Sequence, residues 1–344
     1  VGDSAPPFCS PNPVGTPVRQ ELFETVLYSY ASVPLADTFS GPSLLSLNGM
    51  PVESGTPTEI EAAIWNIQKI DQARRSVGRP GMGCHNFISC AEKTDAIIAS
   101  ARPGFGAKPG DGLLNGAIAE LKVDYERLKK VAFMRNSGLV IGGLYGPIMG
   151  GYAGGPESTA IVHVAHHFLG LLAFEVQWHD GFPLHLMQGC NSTRDLIWLI
   201  SVTGQALTRN THLLIGVSPF TAAGPCTEMV IDEIVAVVTA ATVSGLHLNL
   251  LATARNKYPE YSSGMEARIG AEAGHLVARQ GVTREQANSM VKKILARYED
   301  KIADAPRGKR FDECYDLDTV QPTREYLDLY DRGKEFLGGL GLEY

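Results

Sequence analysis

The chain has 344 residues, of which 44% are hydrophobic and 19% charged, and these values are those of an ordinary globular protein rather than a disordered or collagen-like one. Its formal net charge of −7 argues against nucleic acid or an anionic membrane as the main binding partner, since both are negatively charged. The length exceeds most single domains but suits one (β/α)8 barrel, which needs about 250 residues plus insertions.

The first clear helix is predicted to begin at Thr58, where Thr58 and Glu61 match a capping box and isoleucines follow at helical spacing, and to end at Gly78. Beyond it, extended and helical runs alternate. Extended runs are predicted at 82–84, 121–123, 139–143, 183–187, 212–217 and 246–250, with less clear runs at 26–30 and 44–47. Helices are predicted at 156–177, 191–207, 225–243, 265–279 and 284–298.

This alternation is typical of a parallel sheet with crossover helices. It predicts an α/β fold in which residues 1–344 form a single (β/α)8 TIM barrel, with an open doubly wound sheet as the alternative. Residues 305–344 are polar and acidic with interspersed tyrosines, and we expect a C-terminal extension that wraps the barrel or forms subunit contacts. Tyr326, Leu329 and Tyr330 share one helical face there, and either the barrel itself or a neighbouring subunit could cover it.

The composition along the chain favours a cytoplasmic protein. The most apolar stretch, 137–155, holds eight glycines and one proline, so it is a poor membrane span. The first seven residues are polar and interrupted by proline, unlike a signal peptide. The six cysteines are scattered through a long chain, a pattern that suits reduced thiols.

The pocket of a parallel barrel lies at the carboxyl ends of its strands, so the residues that follow each extended run are candidates for the site. This rule selects His85, Asn86, Leu144, Tyr145, Gln188, Ser218, Phe220 and Thr253.

One octapeptide, 78–85, carries three glycines and a proline and delivers His85 at its end. It resembles the stretch of the monomethylamine methyltransferases that leads into their pyrrolysine, and in this chain histidine occupies that position. Further segments resemble the same family in order along the chain, at 149–155, 178–179, 223–229, 264–268 and 313–316.

The resemblance implies a TIM-barrel enzyme that passes a methyl group from a small methylated amine to Co(I) of a separate corrinoid protein. The corrinoid travels on that partner, so no tightly bound cofactor is expected, and the resemblance also implies a homo-oligomer, a hexamer. His85 lacks the electrophilic imine of pyrrolysine but can hold a substrate by hydrogen bond or donate a proton. We therefore assign His85 as catalytic and the following residues as substrate-binding: Asn86, Tyr145, Gln188, Ser218 and Phe220.

The pocket predicted by this resemblance is more apolar than that of the family. Two family glutamates fall on Ile88 and on or beside Leu144, and a glutamine and a tyrosine fall on Ser218 and Phe220. A buried ammonium without a carboxylate carries a desolvation penalty, which makes monomethylamine a doubtful substrate. A quaternary amine, with its diffuse charge held by Phe220, Tyr145 and Tyr152, suits such a pocket better.

Two other functions are consistent with the sequence. Cys84, His85 and Cys90 are candidate zinc ligands that would activate methanol or a thiol, although Cys84 and His85 should point to opposite sides of a strand. The losses in the pocket also fit a catalytically silent barrel that serves as a binding or assembly subunit.

Three histidines, His163, His166 and His167, lie close together on one predicted helix. His163 and His167 have the i, i+4 spacing of a metal pair, but no third ligand accompanies them. Since this helix should lie outside the barrel, we expect a solvated or interface-facing cluster.

Overall fold

The computed structural model describes residues 6–13, 15–88, 92–102, 104, 106–117, 121–250 and 254–343. Within these ranges, eight strands of three or more residues alternate with helices. The strands are β1 (Cys9–Pro11), β2 (Thr38–Ser40), β3 (Gly83–Asn86), β4 (Gly112–Ala117), β5 (Val140–Tyr145), β6 (Trp178–Gly181), β7 (Ile215–Val217) and β8 (His247–Leu250). The helices are α1 (Gln20–Ala31), α2 (Pro57–Ser76), α3 (Thr94–Ser100), α4 (Tyr125–Ser137), α5 (Pro156–Phe174), α6 (Arg194–Asn210), α7 (Glu228–Val243), α8 (Gly264–Arg279), α9 (Arg284–Tyr298), α10 (Phe311–Cys314) and α11 (Arg324–Gly339).

All of these strands run parallel. Six of them form one hydrogen-bonded sheet in the order β1-β8-β7-β6-β5-β4, and β2 and β3 form a separate parallel pair. Strands that are adjacent along the chain are therefore neighbours from β4 to β8, which is the arrangement of a half-barrel. The parallel α/β class predicted from the sequence is confirmed.

Hydrogen bonds connect the two-stranded pair to the six-stranded sheet on both sides. The amide of Cys84 donates to the Asp111 carboxylate at 2.9 Å, and the amide of Leu114 donates to Oδ1 of Asn86 at 3.2 Å. On the other side, the amide of Asp37 donates to the carbonyl of Cys9 at 2.8 Å. The Asp111 carboxylate is fixed in turn by a buried ion pair with Arg74 of α2, at 2.9 Å.

Several strand positions differ from the sequence prediction. Residues 121–123 form no strand, and the strand of this region is β4, six residues of mostly small and apolar side chains. The run 26–30 lies inside α1, and the run 44–47 forms only two-residue strands, Ser43–Leu44 and Ser46–Leu47. The first two strands of the parallel set are β1 and β2. Each has three residues, which is too few to show a periodic pattern in the sequence.

Side-chain caps mark the start of several helices. The hydroxyl of Thr227 accepts from the amide of Val230 at the start of α7, and Ser263 and Glu266 form a capping box at α8. The capping box predicted at Thr58 is wrong. Helix α2 begins one residue earlier, at Pro57, because proline suits the first helical position.

The C-terminal helix α11 packs on helix α7 of its own chain. Tyr326, Leu329 and Tyr330 are buried there, and the two tyrosine hydroxyls donate to Glu266 and Glu272 of α8. The apolar face of α11 is thus covered within the chain, which is the first of the two possibilities that the sequence left open.

None of the helices among the described residues combines the length and the apolar character needed to cross a lipid bilayer.

Candidate active site

The candidate site is built around His85, which sits in an irregularity of β3. Phe39 pairs with Cys84 and Ser40 pairs with Asn86, so β3 has one residue more than β2 at this point, and that residue is His85. A β-bulge of this kind changes the direction of a side chain and is common next to active sites. The bulge lies at the carboxyl end of β3, where the sequence analysis expected the site.

The imidazole of His85 is surrounded by hydroxyl groups of β1 and β2. The hydroxyl of Ser10 lies 2.6 Å from Nδ1, and the hydroxyl of Ser40 lies 2.9 Å from Nε2. The hydroxyl of Thr38 bonds that of Ser10 at 2.6 Å. Because a hydroxyl both donates and accepts, either tautomer of His85 keeps its partners. His85 is 9% exposed, so it is largely buried but retains a small solvent-accessible surface.

A buried carboxyl group, that of Asp180, lies on β6. Asp180 of β6 accepts from the hydroxyl of Ser218 at 2.9 Å and from the side-chain amide of Asn249 at 2.5 Å. The Asn249 amide also reaches the hydroxyl of Ser218, at 3.0 Å, and Asn249 faces the ring of His85. We call Ser10, Thr38, Ser40, His85, Asp180, Ser218 and Asn249 the inner cluster. Within it, Asn249 links His85 to the expected site residue Ser218.

Burial shifts the two titratable groups of the inner cluster in opposite directions. Desolvation lowers the pKa of His85 to about 3, against the opposing effect of Asn249. Desolvation raises the pKa of Asp180 to about 7, although Asn249 and Ser218 favour its charged form. Near neutral pH the imidazole is therefore uncharged and the carboxyl group is close to its midpoint. Such a pair can accept or supply a proton inside the protein.

An apolar layer lies next to the inner cluster. Phe182 and Phe220 each follow a cluster residue by two positions, and they lie just beyond the ends of β6 and β7. Their rings stack at 4.9 Å between centroids, and Leu144 belongs to the same buried group. The arrangement places polar and proton-exchanging groups beside a hydrocarbon surface, which suits a small substrate with apolar methyl groups.

The family model described as "Monomethylamine methyltransferase MtmB" matches residues 1–342. MtmB2 of Methanosarcina barkeri strain Fusaro is 33% identical over 345 residues, covering 100% of this chain and 74% of the relative. MtmB1 of Methanosarcina acetivorans is 34% identical over the same shares of both chains. The chain belongs to the monomethylamine methyltransferase family. It is therefore a methyltransferase.

The fold agrees with this assignment. The crystal structure of the Methanosarcina barkeri monomethylamine methyltransferase matches with a TM-score of 0.93 at 33% identity, covering 100% of this chain and 75% of that chain. A crystal structure of the hydroxylamine complex of MtmB matches equally, with a TM-score of 0.93.

The family's acid and amide groups were expected to be lost from this chain, and the structure supplies both types from other strands. Asp180 provides a carboxyl group and Asn249 an amide. Sequence reasoning missed Asp180 because it predicted an extended run at 183–187, where only the two-residue strand Leu184–His185 forms, whereas the longer strand of this region is β6, Trp178–Gly181. The alternation of Trp178, Asp180 and Phe182 was the signal that could have found it.

Tyr145 was predicted to bind substrate, and the structure places it elsewhere. It is the last residue of β5, and its ring stacks on His166 of α5 at 5.9 Å between centroids. A Cβ atom at Gly170 of α5 would collide with the Tyr145 hydroxyl. The side chain therefore points from the sheet towards the helix layer, because residues alternate between the two faces of a strand. Tyr152, the other tyrosine considered, is 54% exposed.

Asn86 and Gln188 also lie away from the inner cluster. The side chain of Asn86 bridges strands, since it accepts from Leu114 and donates to the carbonyl of Ile88. Gln188 lies in a loop seven residues beyond the end of β6 at Gly181, where its carbonyl accepts from Arg255 at 2.6 Å. Both residues were assigned to the site because the sequence analysis placed the ends of the preceding strands at the wrong residues.

The zinc hypothesis gains no support from the described residues, among which no group of three or more His, Cys, Asp or Glu side chains is placed to hold a metal ion. The thiol of Cys84 donates to the carbonyl of Asn86 at 3.4 Å, and it shares no partner with the ring of His85. Cys90, like Thr253, lies outside the described residues.

The three histidines of α5 were expected to be solvated or interface-facing, and this is wrong. His163, His166 and His167 are all buried, and together with His179 of β6 they form what we call the outer histidine cluster, between the sheet and α5. The helix packs closely here because β6 carries Gly181, where a Cβ atom would collide with His163. Burial lowers the pKa of His163 to about 3 and that of His179 to about 4.

Proposed function

We propose that this protein transfers a methyl group from a small methylated amine to Co(I) of a separate corrinoid protein. The observation that carries the proposal is the position of His85, at the pyrrolysine position of a chain that matches the family over residues 1–342. His85 sits at a strand end among hydroxyl groups, as a positioning or proton-transferring residue requires.

We also propose that the six-stranded sheet and the β2–β3 pair together close a (β/α)8 barrel. The bonds from Asp37 to Cys9 and from Leu114 to Asn86 support this closure on its two sides. The carboxyl ends of the strands then form one mouth, where the corrinoid protein docks. Residues 305–344 are the C-terminal extension of this single domain.

The chemistry requires a nitrogen that leaves as a neutral amine. In the transfer, the carbon–nitrogen electron pair stays with nitrogen, and the electrons of the new carbon–cobalt bond come from Co(I). The substrate nitrogen must therefore carry four bonds and a positive charge before the step. A quaternary amine meets this condition without any proton, whereas His85 offers no imine to form an adduct with monomethylamine.

The residues of the chain bind and orient such a cation. Leu144, Phe182 and Phe220 present a surface for methyl groups and exclude water. Asp180 can lose its proton when a cation enters, because its pKa lies near 7. His85, held by Ser10 and Ser40, fixes the polar end of the substrate.

The test is methyl transfer by the purified protein to a reduced corrinoid protein, with free Co(I) cobalamin as a second acceptor. Formation of methyl-Co(III) is followed by absorbance with monomethylamine, trimethylamine, tetramethylammonium and glycine betaine. We expect turnover of a quaternary amine and none of monomethylamine at a comparable rate. Robust turnover of monomethylamine by protein that mass spectrometry shows to carry histidine at position 85 would overturn the substrate assignment. No transfer from any amine would overturn the methyl-transfer proposal itself.

We propose, finally, that the protein acts in the cytoplasm as a homo-oligomer, a hexamer by resemblance to the family. Free, buried thiols at Cys9, Cys84, Cys190, Cys226 and Cys314 support a reducing compartment. Sedimentation analysis tests the assembly, and a monomer at micromolar concentration would contradict it.

A further inference from the structure

A second concave site lies outside the inner cluster. A cavity of about 370 Å³ opens between the first half of α2 and segments that follow β1, β2 and β3. Its volume falls within the range of small-molecule sites. No residue of the inner cluster lines it, although Ile88, three residues after His85, does.

Two buried hydrogen-bond acceptors in the lining of this cavity lack a donor. Among the described residues, Oε2 of Glu92 and Oδ1 of Asn66 have no partner. Both side chains are almost fully buried, at 2% and 3% exposure. An unsatisfied buried polar group costs about 1–3 kcal/mol, so two of them in one cavity indicate a ligand that donates hydrogen bonds.

The charges around the cavity favour a cation. Glu59 and Glu92 both line it, and the nearby ammonium of Lys130 lies 3.4 Å from Oε1 of Glu92. The lining residues that the structure describes include these two carboxyl groups and no Lys or Arg, so they favour a positively charged ligand. Glu59 is already occupied, since its oxygens accept from the amides of Gly55 and Lys93. Glu92 is therefore the carboxyl group with an oxygen to offer.

The remainder of the lining is mainly hydrocarbon. Leu44, Val52 and Ile88 contribute apolar surface beside the two acceptors. A ligand that fills this space needs an apolar body as well as a donor group, because bare ammonium or a metal ion would leave the hydrocarbon wall facing water.

We propose that this cavity binds a small organic ammonium ion with at least two N–H donors. The ammonium group donates to Glu92 and Asn66, and its hydrocarbon part packs on Leu44, Val52 and Ile88. A quaternary amine cannot satisfy this site, since it has no N–H group. The site is thus distinct in ligand class from the inner cluster, and it does not depend on the proposed methyl transfer.

Isothermal titration calorimetry with n-butylammonium as the probe tests the site, and tetramethylammonium serves as a control of equal charge without donors. We expect saturable binding of n-butylammonium and binding of tetramethylammonium at least about 10-fold weaker. Binding should tighten from pH 6 to pH 8, because burial raises the pKa of Glu92 to about 7 and only the ionised form pairs with the cation.

Three variants separate the site from non-specific charge effects. Glu92→Gln and Asn66→Leu should each raise the dissociation constant at least about 10-fold, whereas Glu228→Gln should leave it unchanged. Glu228 is an exposed carboxylate paired with Arg332, remote from the cavity lining. Asn66→Leu removes a carbonyl oxygen that has no partner among the described residues, so we expect it to fold even if Glu92→Gln, which breaks the ion pair between Glu92 and Lys130, does not.

No saturable heat with n-butylammonium up to about 10 mM would overturn the proposal, as would equal affinity of the wild type and Asn66→Leu. The titration contains no corrinoid protein and no methyl donor. Its failure would leave the methyl-transfer proposal unaffected, and failure of the methyl-transfer assay would leave the ammonium site unaffected.

Discussion

The inner cluster and the outer histidine cluster both bury imidazole rings, and they differ in the partners of those rings. His85 contacts two hydroxyl groups and faces an amide, so each ring nitrogen has a partner. In the outer cluster, Nδ1 of His167 lies 3.4 Å from Nδ1 of His179, and the His167 ring is surrounded by other aromatic rings. Its Nε2 atom, like those of His163 and His179, has no partner among the described residues.

This difference distinguishes a group of residues that can do chemistry from one that only packs. Hydroxyl groups that donate and accept allow a histidine to gain or lose a proton while its hydrogen bonds persist. A cluster of imidazoles without a nearby acid can only remain neutral, because each ring that became charged would repel the others in a desolvated space. We therefore assign chemistry to the inner cluster and packing to the outer one.

The largest effect on stability is expected in the outer cluster. His167→Ala removes a fully buried ring between the sheet and α5 and leaves a cavity there. Chemical denaturation should show a loss of about 2–4 kcal/mol in the free energy of unfolding. The methyl-transfer rate per folded molecule should stay at the wild-type value. A loss of activity in well-folded protein would contradict the assignment of this cluster to packing.

A smaller effect is expected from Asp180→Asn in the inner cluster. The amide keeps the size of the side chain but cannot ionise, and the pKa of Asp180 lies at about 7. The wild-type methyl-transfer rate should rise from pH 6 to pH 8 as Asp180 loses its proton. The variant should be about 10-fold slower than the wild type at pH 8, and its rate should not depend on pH in this range. An unchanged inflection near pH 7 in the variant would show that another group titrates.

The outer histidine cluster should also make the stability of the protein depend on pH. Burial lowers the pKa of His163 to about 3 from an ordinary value of 6.5, so the unfolded chain binds its proton more readily than the folded one. The contribution of neutral His163 to the free energy of unfolding is complete above pH 6.5, and it declines as the pH falls towards 3.

The measurement compares the wild type with His163→Gln, whose side chain does not titrate. Between pH 6.5 and pH 5.5 the wild type should lose about 1 kcal/mol of unfolding free energy relative to the variant. The difference is needed because buried carboxyl groups such as Asp180 and Glu266, whose pKa values are raised to about 7, contribute with the opposite sign. Parallel curves would show that His163 is not buried as described.

The smallest effect is expected from Tyr145→Phe. The Tyr145 hydroxyl is buried without a hydrogen-bond partner among the described residues, so its removal should change the unfolding free energy by less than about 0.5 kcal/mol. Methyl transfer should also be unchanged, because the ring faces α5. A large loss of activity would restore Tyr145 to the substrate pocket.

The sequence predicted the α/β class of the fold, and it singled out the histidine around which the candidate site is described. The order of strands and helices follows from hydrophobic periodicity, and His85 follows from the glycine-rich segment before it. The location of Asp180 could not be read in the same way. Strand β6 has four residues with polar groups at His179 and Asp180, so the more apolar run after it had the stronger signal.

Burial of the outer histidines depends on contacts between elements far apart in the chain. Gly170 of α5 and Gly181 of β6 leave the space that Tyr145 and His163 fill. A helical pattern shows which residues share a face, but it does not show that the facing strand lacks a side chain. The bulge at His85 likewise depends on the register of β2 against β3, which no local pattern encodes.

The most direct test of the account is single-turnover methyl transfer by the wild type and by His85→Ala, with a quaternary amine and a Co(I) corrinoid protein. The account predicts a rate at least about 100-fold lower in the variant. The free energy of unfolding should fall by about 1–2 kcal/mol, less than in His167→Ala, because His85 keeps 9% exposure whereas His167 is fully buried. Equal rates in a folded variant, or no transfer by the wild type, would contradict the claim that His85 performs the work of this site.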